Sequence, residues 1–122
     1  MIGIDLIKID RMKRLMERFG DRGLHKFLCD NEITLVKNPR TAAGFWAAKE
    51  ACAKALGCGI SGECGFHDIT LSKTAKGAPQ LALSAKVQEY FSIRHTSVSI
   101  THDGDYAIAV VALEYLPHRG KL

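Results

Sequence analysis

One segment constrains the fold of this chain more than any other: residues 42–56, which are apolar or glycine at every position except three. The exceptions are Lys49, Glu50 and Lys54, and the other residues are Ala, Gly, Phe, Trp, Cys or Leu. A helix that is apolar on nearly every side is a buried helix. The segment therefore predicts a long central helix around which the rest of the chain packs.

The residues on either side of this segment predict where the helix begins and ends. Asn38 can cap the N-terminus, because its side-chain oxygen accepts a hydrogen bond from a free backbone N–H group. Pro39 suits the first turn of a helix, where no N–H donor is needed. Gly57 and Gly59 suit the C-terminal end, because glycine adopts the left-handed conformation that ends many helices.

The remaining segments predict short helices followed by strands linked in hairpins. Before the central helix we expect a strand, a helix that ends at Gly20, and one or two helical turns, at residues 2–7, 9–19 and 24–37. After it we expect two strands, a short helix and a hairpin that turns at Asp103-Gly104, at residues 68–73, 80–83, 84–91, 96–102 and 106–115. Residues 107–113 are apolar on both faces, which predicts a strand covered on both sides. This order is typical of an α+β fold with a mostly antiparallel sheet.

Length and composition indicate one domain, residues 1–122. A domain of this size has little interior for both a core and a deep pocket, so a site shared between subunits is compatible with it. The sequence contains no run of eighteen or more apolar residues, so it predicts no membrane span. The N-terminus has no cleavable-signal pattern. The four cysteines lack C-x-x-C spacing, and a reducing cytoplasm fits them best. Cys52 lies inside the apolar helical pattern, which predicts a buried thiol. A zinc site from Cys58, Cys64 and His67 is the alternative, although their spacing fits no usual zinc knuckle.

The charged residues of the central helix need an explanation, because an ionised group on a buried helix must be paired, reach solvent or bind an ion. Successive residues turn by about 100°, so Glu50 and Lys54 lie on one face, among small residues. One interpretation is a structural Glu–Lys pair one turn apart, worth about 0.3–0.5 kcal/mol. Lys49 points elsewhere and is expected to extend its charged end to solvent.

Asp5 raises a similar question, because it lies among Ile and Leu in a predicted strand, where Asp is disfavoured. It is either on an exposed face or a cap for the following helix, or it joins Glu50 as a ligand of Mg²⁺. Magnesium takes one or two carboxylates and completes its coordination with water and substrate phosphate oxygens. Lys54 would then contact the same phosphates.

Three motifs resemble, in order, those of the bacterial holo-acyl-carrier-protein synthases, the small 4′-phosphopantetheinyl transferases. They are Gly-Ile-Asp-Leu-Ile-Lys-Ile-Asp-Arg, Phe-Trp-Ala-Ala-Lys-Glu-Ala-Cys-Ala-Lys-Ala-Leu-Gly and Ser-Val-Ser-Ile-Thr-His, at residues 3–11, 45–57 and 97–102. The turn Lys-Gly-Ala-Pro at residues 76–79 is similar to a fourth family element. The resemblance covers nearly the whole chain, and it implies the family's fold, a small antiparallel sheet packed on a long central helix.

The resemblance also implies an enzyme that transfers 4′-phosphopantetheine from coenzyme A to a serine of apo-acyl-carrier protein and releases adenosine 3′,5′-bisphosphate. Asp5 and Glu50 would bind Mg²⁺ on the coenzyme A diphosphate, and Lys54 and His102 would contact phosphates. Glu50 is the candidate for accepting the serine proton. The family implies a homotrimer with active sites at subunit interfaces. For His102, a surface histidine beside a hairpin is the alternative.

One position departs from the family pattern, which often has an arginine where this chain has Phe45. That difference puts one coenzyme A phosphate contact in doubt. We expect Lys37 or Arg40, just before the central helix, to provide the missing positive charge.

A basic segment has a role in the same interpretation. Residues 8–26 contain seven Lys and Arg residues against three acidic ones, while the rest of the chain is balanced. Acyl-carrier proteins are acidic, so Arg11, Arg14 and Arg18, on one side of a predicted helix, are candidates for a docking face. A solvated helix face is the alternative. Nucleic acid is a poorer partner, because no aromatic residues are interleaved with these bases.

Two other functions fit parts of the pattern. The chain could be an adaptor for an acidic partner, in which case removing Mg²⁺ would leave its activity unchanged. It could also hydrolyse acyl-coenzyme A, in which case free thiol would appear and a carrier protein would gain no mass.

Overall fold

A computed structural model describes residues 1–117. The elements are β1 (Ile2–Lys8), α1 (Ile9–Phe19), α2 (Asp21–Leu24), α3 (Asp30–Ile33), α4 (Pro39–Leu56), β2 (Ile69–Lys73), β3 (Pro79–Leu83), α5 (Ala85–Phe91), β4 (Ile93–Asp103) and β5 (Tyr106–Tyr115), with one turn of 3₁₀-helix at Phe66–Asp68. The strands form a three-stranded antiparallel sheet in the order β1-β5-β4 and a separate β2–β3 hairpin. The predicted α+β class is therefore confirmed.

Helix α4 is the buried centre of the molecule, as its composition predicts. Its N-terminus is capped by Asn38, whose Oδ1 accepts a hydrogen bond from the backbone N–H of Thr41 at 3.1 Å. Its C-terminus ends at Gly57, which has a φ of 83°. That left-handed conformation favours glycine, because a Cβ atom would clash with the backbone there.

The three-stranded sheet packs one face directly on α4, and Gly3 makes the approach possible. A Cβ atom at Gly3 would overlap the carbonyl oxygen of Ala51 and lie 2.7 Å from the backbone nitrogen of Ala55. Side chains of a strand alternate between faces, so Asp5, two residues further on, faces α4 as well. The close contact of β1 with α4 thus brings an acidic side chain onto the central helix.

Two details differ from the sequence-based expectation. The hairpin between β4 and β5 turns at Gly104-Asp105, one residue later than predicted, and Gly104 takes the positive φ of 58°. Strand β5 is covered by α4 on only one face, and Val110 on the other face is 37% exposed. The second cover predicted for this strand is therefore absent from the single chain over residues 1–117.

Candidate active site

Asp5 and Lys54 lie together where β1 crosses α4. The Lys54 ammonium donates hydrogen bonds to Oδ1 of Asp5 at 2.9 Å and to the carbonyl oxygen of Ile4 at 3.2 Å. Asp5 is largely buried, with 14% of its side chain exposed, whereas 52% of the Lys54 side chain is exposed. The structural Glu50–Lys54 pair is therefore not what forms, because Lys54 reaches across to the strand instead.

Glu50 lies beside this pair, and in the described part of the chain it makes no ion pair of its own. Burial, and then the nearby Asp5 carboxylate, raise the pKa of Glu50, while the positive charges of Lys54 and Arg11 act in the opposite direction. Two carboxylates that repel each other in a partly desolvated place are suited to a cation between them. The fold thus brings residues 5 and 50 close enough for their charges to interact, and their role as joint metal ligands stays a prediction.

The carboxylates of Asp5 and Glu50 are ligands that suit magnesium rather than zinc. Carboxylate oxygens are the hard ligands that Mg²⁺ prefers, and one or two of them suffice when a substrate diphosphate and water complete the coordination. Residues 1–117 contain no group of three or more His, Cys, Asp or Glu side chains arranged for a metal. The alternative zinc site of Cys58, Cys64 and His67 therefore does not form.

Two of the four cysteines, Cys52 and Cys64, are buried thiols. Burial raises the pKa of Cys52 to about 12 and that of Cys64 to about 11, so both stay protonated at neutral pH. All four cysteines are free. The prediction of a buried Cys52 is confirmed.

Lys49 does not extend to solvent, and this expectation was wrong. Its side chain is 0% exposed and pairs with Glu32, which is 1% exposed, across 2.9 Å. Solvent lies too far away because α4 is covered on that side by the segment around α3. The requirement that a charge on this helix be paired is met within the core.

His102 lies at the opposite end of α4 from the Asp5–Lys54 pair. Its Nε2 donates a hydrogen bond to the carbonyl oxygen of Arg40 at 2.9 Å. It lines a cavity of about 140 Å³ with seven other residues: Thr41, Gly44, Phe45, Lys73, Gly77, Pro79 and Ile100. Within one chain the carboxylate pair and His102 therefore occupy separate places along the helix.

The two residues expected to replace the family arginine lie outside this cavity. Lys37 is exposed before α4, and Arg40 lines a different cavity of about 530 Å³ together with Lys8, Lys13 and Arg14. The cation beside Phe45 and His102 is Lys73, at the end of β2. Sequence reasoning missed Lys73 because only the fold brings the β2–β3 turn against the start of α4.

The basic helix α1 borders an apolar groove of about 200 Å³ on α4. Its lining residues are Arg11, Met12, Leu15, Gly23, Lys26, Phe27 and Trp46. The Arg11 guanidinium lies 5.5 Å from the centre of the Trp46 ring. Arg14 is held by Asp10 at 2.7 Å, and Arg18 lies 5.1 Å from the centre of the Phe19 ring. Trp46 was not predicted as part of this surface, because no sequence spacing connects it with α1. Lys26 belongs to the predicted basic segment but was not among the three docking candidates.

The α+β fold thus places a strand Asp, a helix Glu and a helix Lys on one side of a buried central helix, an arrangement suited to binding a cation and a phosphate-bearing substrate. Comparison with known proteins identifies the family: the chain belongs to the 4′-phosphopantetheinyl transferase superfamily, whose sequence profile matches residues 1–111. The chain has no described helix long and apolar enough to cross a membrane.

Relatives of high sequence identity share one name. The chain is 61% identical over 114 residues to the holo-[acyl-carrier-protein] synthase of Sulfurimonas denitrificans, covering 93% of this chain and 94% of that protein. It is 57% identical to the enzyme of the same name from Wolinella succinogenes, covering 93% and 97%. Among solved structures, the Helicobacter pylori holo-[acyl-carrier-protein] synthase in complex with coenzyme A has a TM-score of 0.90 and 45% identity, over 93% of this chain and 100% of that one.

Proposed function

We propose that this chain transfers the 4′-phosphopantetheine group of coenzyme A to a serine of apo-acyl-carrier protein. The observation that carries the proposal is the convergence of Asp5, Glu50 and Lys54 on one side of the buried helix α4, in a chain closely similar to named synthases. The products are holo-acyl-carrier protein and adenosine 3′,5′-bisphosphate.

Asp5 and Glu50 would hold Mg²⁺, which would neutralise the diphosphate of bound coenzyme A. The support is their chemistry: two oxygen donors, mutual repulsion and partial burial. Manganese has similar ligand preferences and would fit the same donors.

In this reaction the protein contributes mainly by positioning the substrates and stabilising charge, and it needs no covalent intermediate. The serine oxygen forms a bond to the phosphorus that carries pantetheine, and the bond from that phosphorus to the bridging oxygen breaks. Lys54 can stabilise negative charge on the departing phosphate, because its ammonium is half exposed beside the carboxylates. The serine proton goes to Glu50, the candidate general base beside Asp5 and Lys54.

The cavity at His102 is our candidate for the nucleotide end of coenzyme A. Because Nε2 donates to the Arg40 carbonyl, the other ring nitrogen, Nδ1, is the one available to a phosphate, and it donates only when it is protonated. Lys73 provides a second positive charge in the same cavity, beside Phe45. Lys37 and Arg40 remain candidates for contacts just outside it.

Docking of the carrier protein is proposed at the groove between α1 and α4. Arg11 and Lys26 flank an apolar floor that contains Trp46, which suits an acidic helix with an apolar side chain at its centre. Arg14 and Arg18 extend the positive surface along α1. The Arg11 guanidinium is also close enough to Glu50 to act on its pKa, so this groove adjoins the carboxylates.

A homotrimer is proposed as the active form. On strand β1 the face of the sheet that α4 leaves open is apolar, with Ile2 73%, Ile4 59% and Leu6 55% exposed. An apolar area of this kind on a soluble domain marks a protein interface. Contact between copies would also bring the His102 cavity of one subunit towards the carboxylates of another, which lie apart in a single chain.

We further propose that residues 1–122 form one domain and that the enzyme works in the cytoplasm, which suits four free cysteines.

Mass spectrometry of purified apo-acyl-carrier protein tests this function. Incubation with the chain, coenzyme A and Mg²⁺ should add the mass of one phosphopantetheine group, and the metal chelator EDTA should prevent the addition. Asp5→Asn should reduce the rate at least a hundredfold, since each group that stabilises developing charge contributes on this scale. Thr70→Ala, an exposed change on β2, is the matched control and should leave the rate unchanged.

Two results would reject the proposal. One is release of free thiol from acyl-coenzyme A with no gain of mass by the carrier protein. The other is full transfer activity of the Asp5 variant in thoroughly demetallated buffer.

A further inference from the structure

Two charged side chains that the proposed reaction does not use lie in the core. Lys49 and Glu32 are 0% and 1% exposed. A buried ion pair of this kind adds little net stability compared with apolar residues of the same size, because the loss of hydration offsets the attraction. Their role must therefore be sought in what else they bind.

The pair gathers backbone groups from segments far apart in the sequence. Besides Glu32, the ammonium donates hydrogen bonds to the carbonyl oxygens of Phe27 at 2.7 Å and Phe66 at 3.0 Å. The Glu32 carboxylate accepts hydrogen bonds from the backbone N–H groups of Cys29 and Leu71, each at 2.8 Å. Three N–H donors meeting three acceptors leave the ammonium fully satisfied, so its position is fixed.

The two residues whose carbonyl groups the ammonium binds carry rings that enclose Trp46. The ring of Phe27 meets the indole edge to face, with centroids 5.1 Å apart, and the centroid of Phe66 lies 4.9 Å from it. Trp46 precedes Lys49 by three residues, so both project from the same side of α4. The ion pair thus holds the backbone beneath both rings that pack against Trp46. We call Phe27, Trp46 and Phe66 the aromatic clamp.

The clamp also shapes the proposed docking groove. Phe27 and Trp46 line it, and the Arg11 guanidinium lies over the Trp46 ring at 5.5 Å, a cation–π contact. We infer that Lys49 is a positioning residue, which through the aromatic clamp keeps the carrier-protein groove in its binding shape. A preformed groove loses less side-chain freedom on binding and so binds more tightly. This inference rests on the proposed function.

The test is Lys49→Met, which keeps the unbranched apolar stem of the side chain and removes the ammonium group. Trp46 is the only tryptophan of the chain, so its fluorescence reports on the clamp directly. We expect acrylamide to quench Trp46 more strongly, and the KM for apo-acyl-carrier protein to rise roughly five- to tenfold. The KM for coenzyme A should stay unchanged. Val87→Ala, which opens space in the core on α5, is the matched control: it lowers the melting temperature but should alter neither quenching nor the carrier KM.

A second variant keeps the test decisive if Lys49→Met does not fold. Phe66→Leu removes one ring of the clamp and leaves the ion pair in place, and it should reproduce both changes. Wild-type quenching and wild-type carrier KM in a folded variant would overturn the inference, as would an equal rise of both KM values. Quenching needs no turnover, so absence of transfer by the wild-type chain would reject the proposed function while the clamp is still tested.

Discussion

Glu50 is a residue whose substitution should change activity and stability in opposite directions. Its carboxylate has no cation of its own within residues 1–117 and lies near the Asp5 carboxylate, so the folded state without metal holds two repelling negative charges. Groups arranged in this way cost stability and are kept for what they bind. Removing the charge of Glu50 should therefore produce a measurable change in melting temperature.

We predict that Glu50→Gln abolishes most turnover and raises the melting temperature of the metal-free protein at neutral pH by a few degrees. Because the folded state raises the pKa of Glu50, folding is opposed once the unfolded chain has released this proton. The increase in melting temperature of the variant over wild type should therefore be absent below the ordinary pKa of a glutamate. It should grow as the pH rises through the raised pKa of Glu50. Scanning calorimetry in EDTA at several pH values measures it.

The same variant tests the metal site without an assay of activity. On the proposed function only the folded wild-type site binds Mg²⁺, so adding the ion should raise the wild-type melting temperature, and Glu50→Gln should lose most of that rise. An equal shift of both proteins would show that residue 50 is no metal ligand. A lower melting temperature of the metal-free variant at every pH would contradict the repulsion on which the prediction rests.

The partners of the charged residues could not be predicted, although the need for partners could. The composition of α4 alone indicates that a charge on it must be compensated. Lys49, however, finds Glu32 seventeen positions away, and Lys54 finds Asp5 forty-nine positions away. Such pairings depend on how α3 and β1 pack on the helix, which no local pattern encodes. A structural Glu50–Lys54 pair was the simplest interpretation of the spacing, and the fold replaced it.

Helix α4 was the most predictable element, because its signals are local. The ends of the helix are marked by neighbouring residues: an Asn cap and a following Pro at the start, and a Gly at the end. Its body is marked by the apolar run itself. The hairpin between β4 and β5 was nearly as predictable, although its turn lies one residue later, since Gly104 rather than Asp103 takes the first turn position. The position of the β2–β3 hairpin against the start of α4, which brings Lys73 to His102, depends on long-range packing.

The close approach of α4 and β4 gives an element-scale prediction at Gly44. A Cβ atom there would lie 2.9 Å from Cγ2 of Ile100 and 3.3 Å from Nε2 of His102. Gly44→Ala should thus push the His102 ring from the Arg40 carbonyl and raise the KM for coenzyme A several-fold. Stability should change little, because the gain in helix propensity of about 1 kcal/mol offsets the steric cost.

The control for this prediction is Gly62→Ala. Gly62 has nothing within 4 Å of an added Cβ atom, so the same chemical change is made where there is room. Steady-state kinetics with coenzyme A varied, and then with carrier protein varied, separates the two substrates. Equal KM values for Gly44→Ala and wild type would show that the His102 cavity is not part of the coenzyme A site.

At the scale of the whole molecule, the sheet has one face on α4 and one apolar face open. The open face is continuous across two strands, because Ile4 is the register partner of Val110 and Leu6 that of Ile108. The expectation that β5 is covered on both sides is met in a single chain only on the α4 side. Residues 1–117 thus leave this face of the sheet uncovered, and a second copy is the simplest source of cover.

The trimer prediction follows from this face. Ile4→Glu places a charge on a side chain that is 59% exposed in one chain, so the subunit should still fold. Across an apolar interface the same charge would lose its hydration, and association should fail. Sedimentation should give three times the chain mass of 13.4 kDa for wild type and one chain mass for the variant. Thr70→Glu on β2 adds the same charge away from this face and should remain trimeric.

Activity then reports whether the site is shared between subunits. A folded Ile4→Glu monomer has an intact Asp5–Lys54 pair and an intact His102 cavity, but these stay apart on one chain. We expect its transfer rate to fall at least a hundredfold, because a substrate held at only one end loses the positioning on which the reaction depends. Melting temperature and circular dichroism establish that the monomer is folded. A monomer with the wild-type rate would mean that each chain carries a complete site, and a wild-type chain that sediments as a monomer would remove the need for an interface.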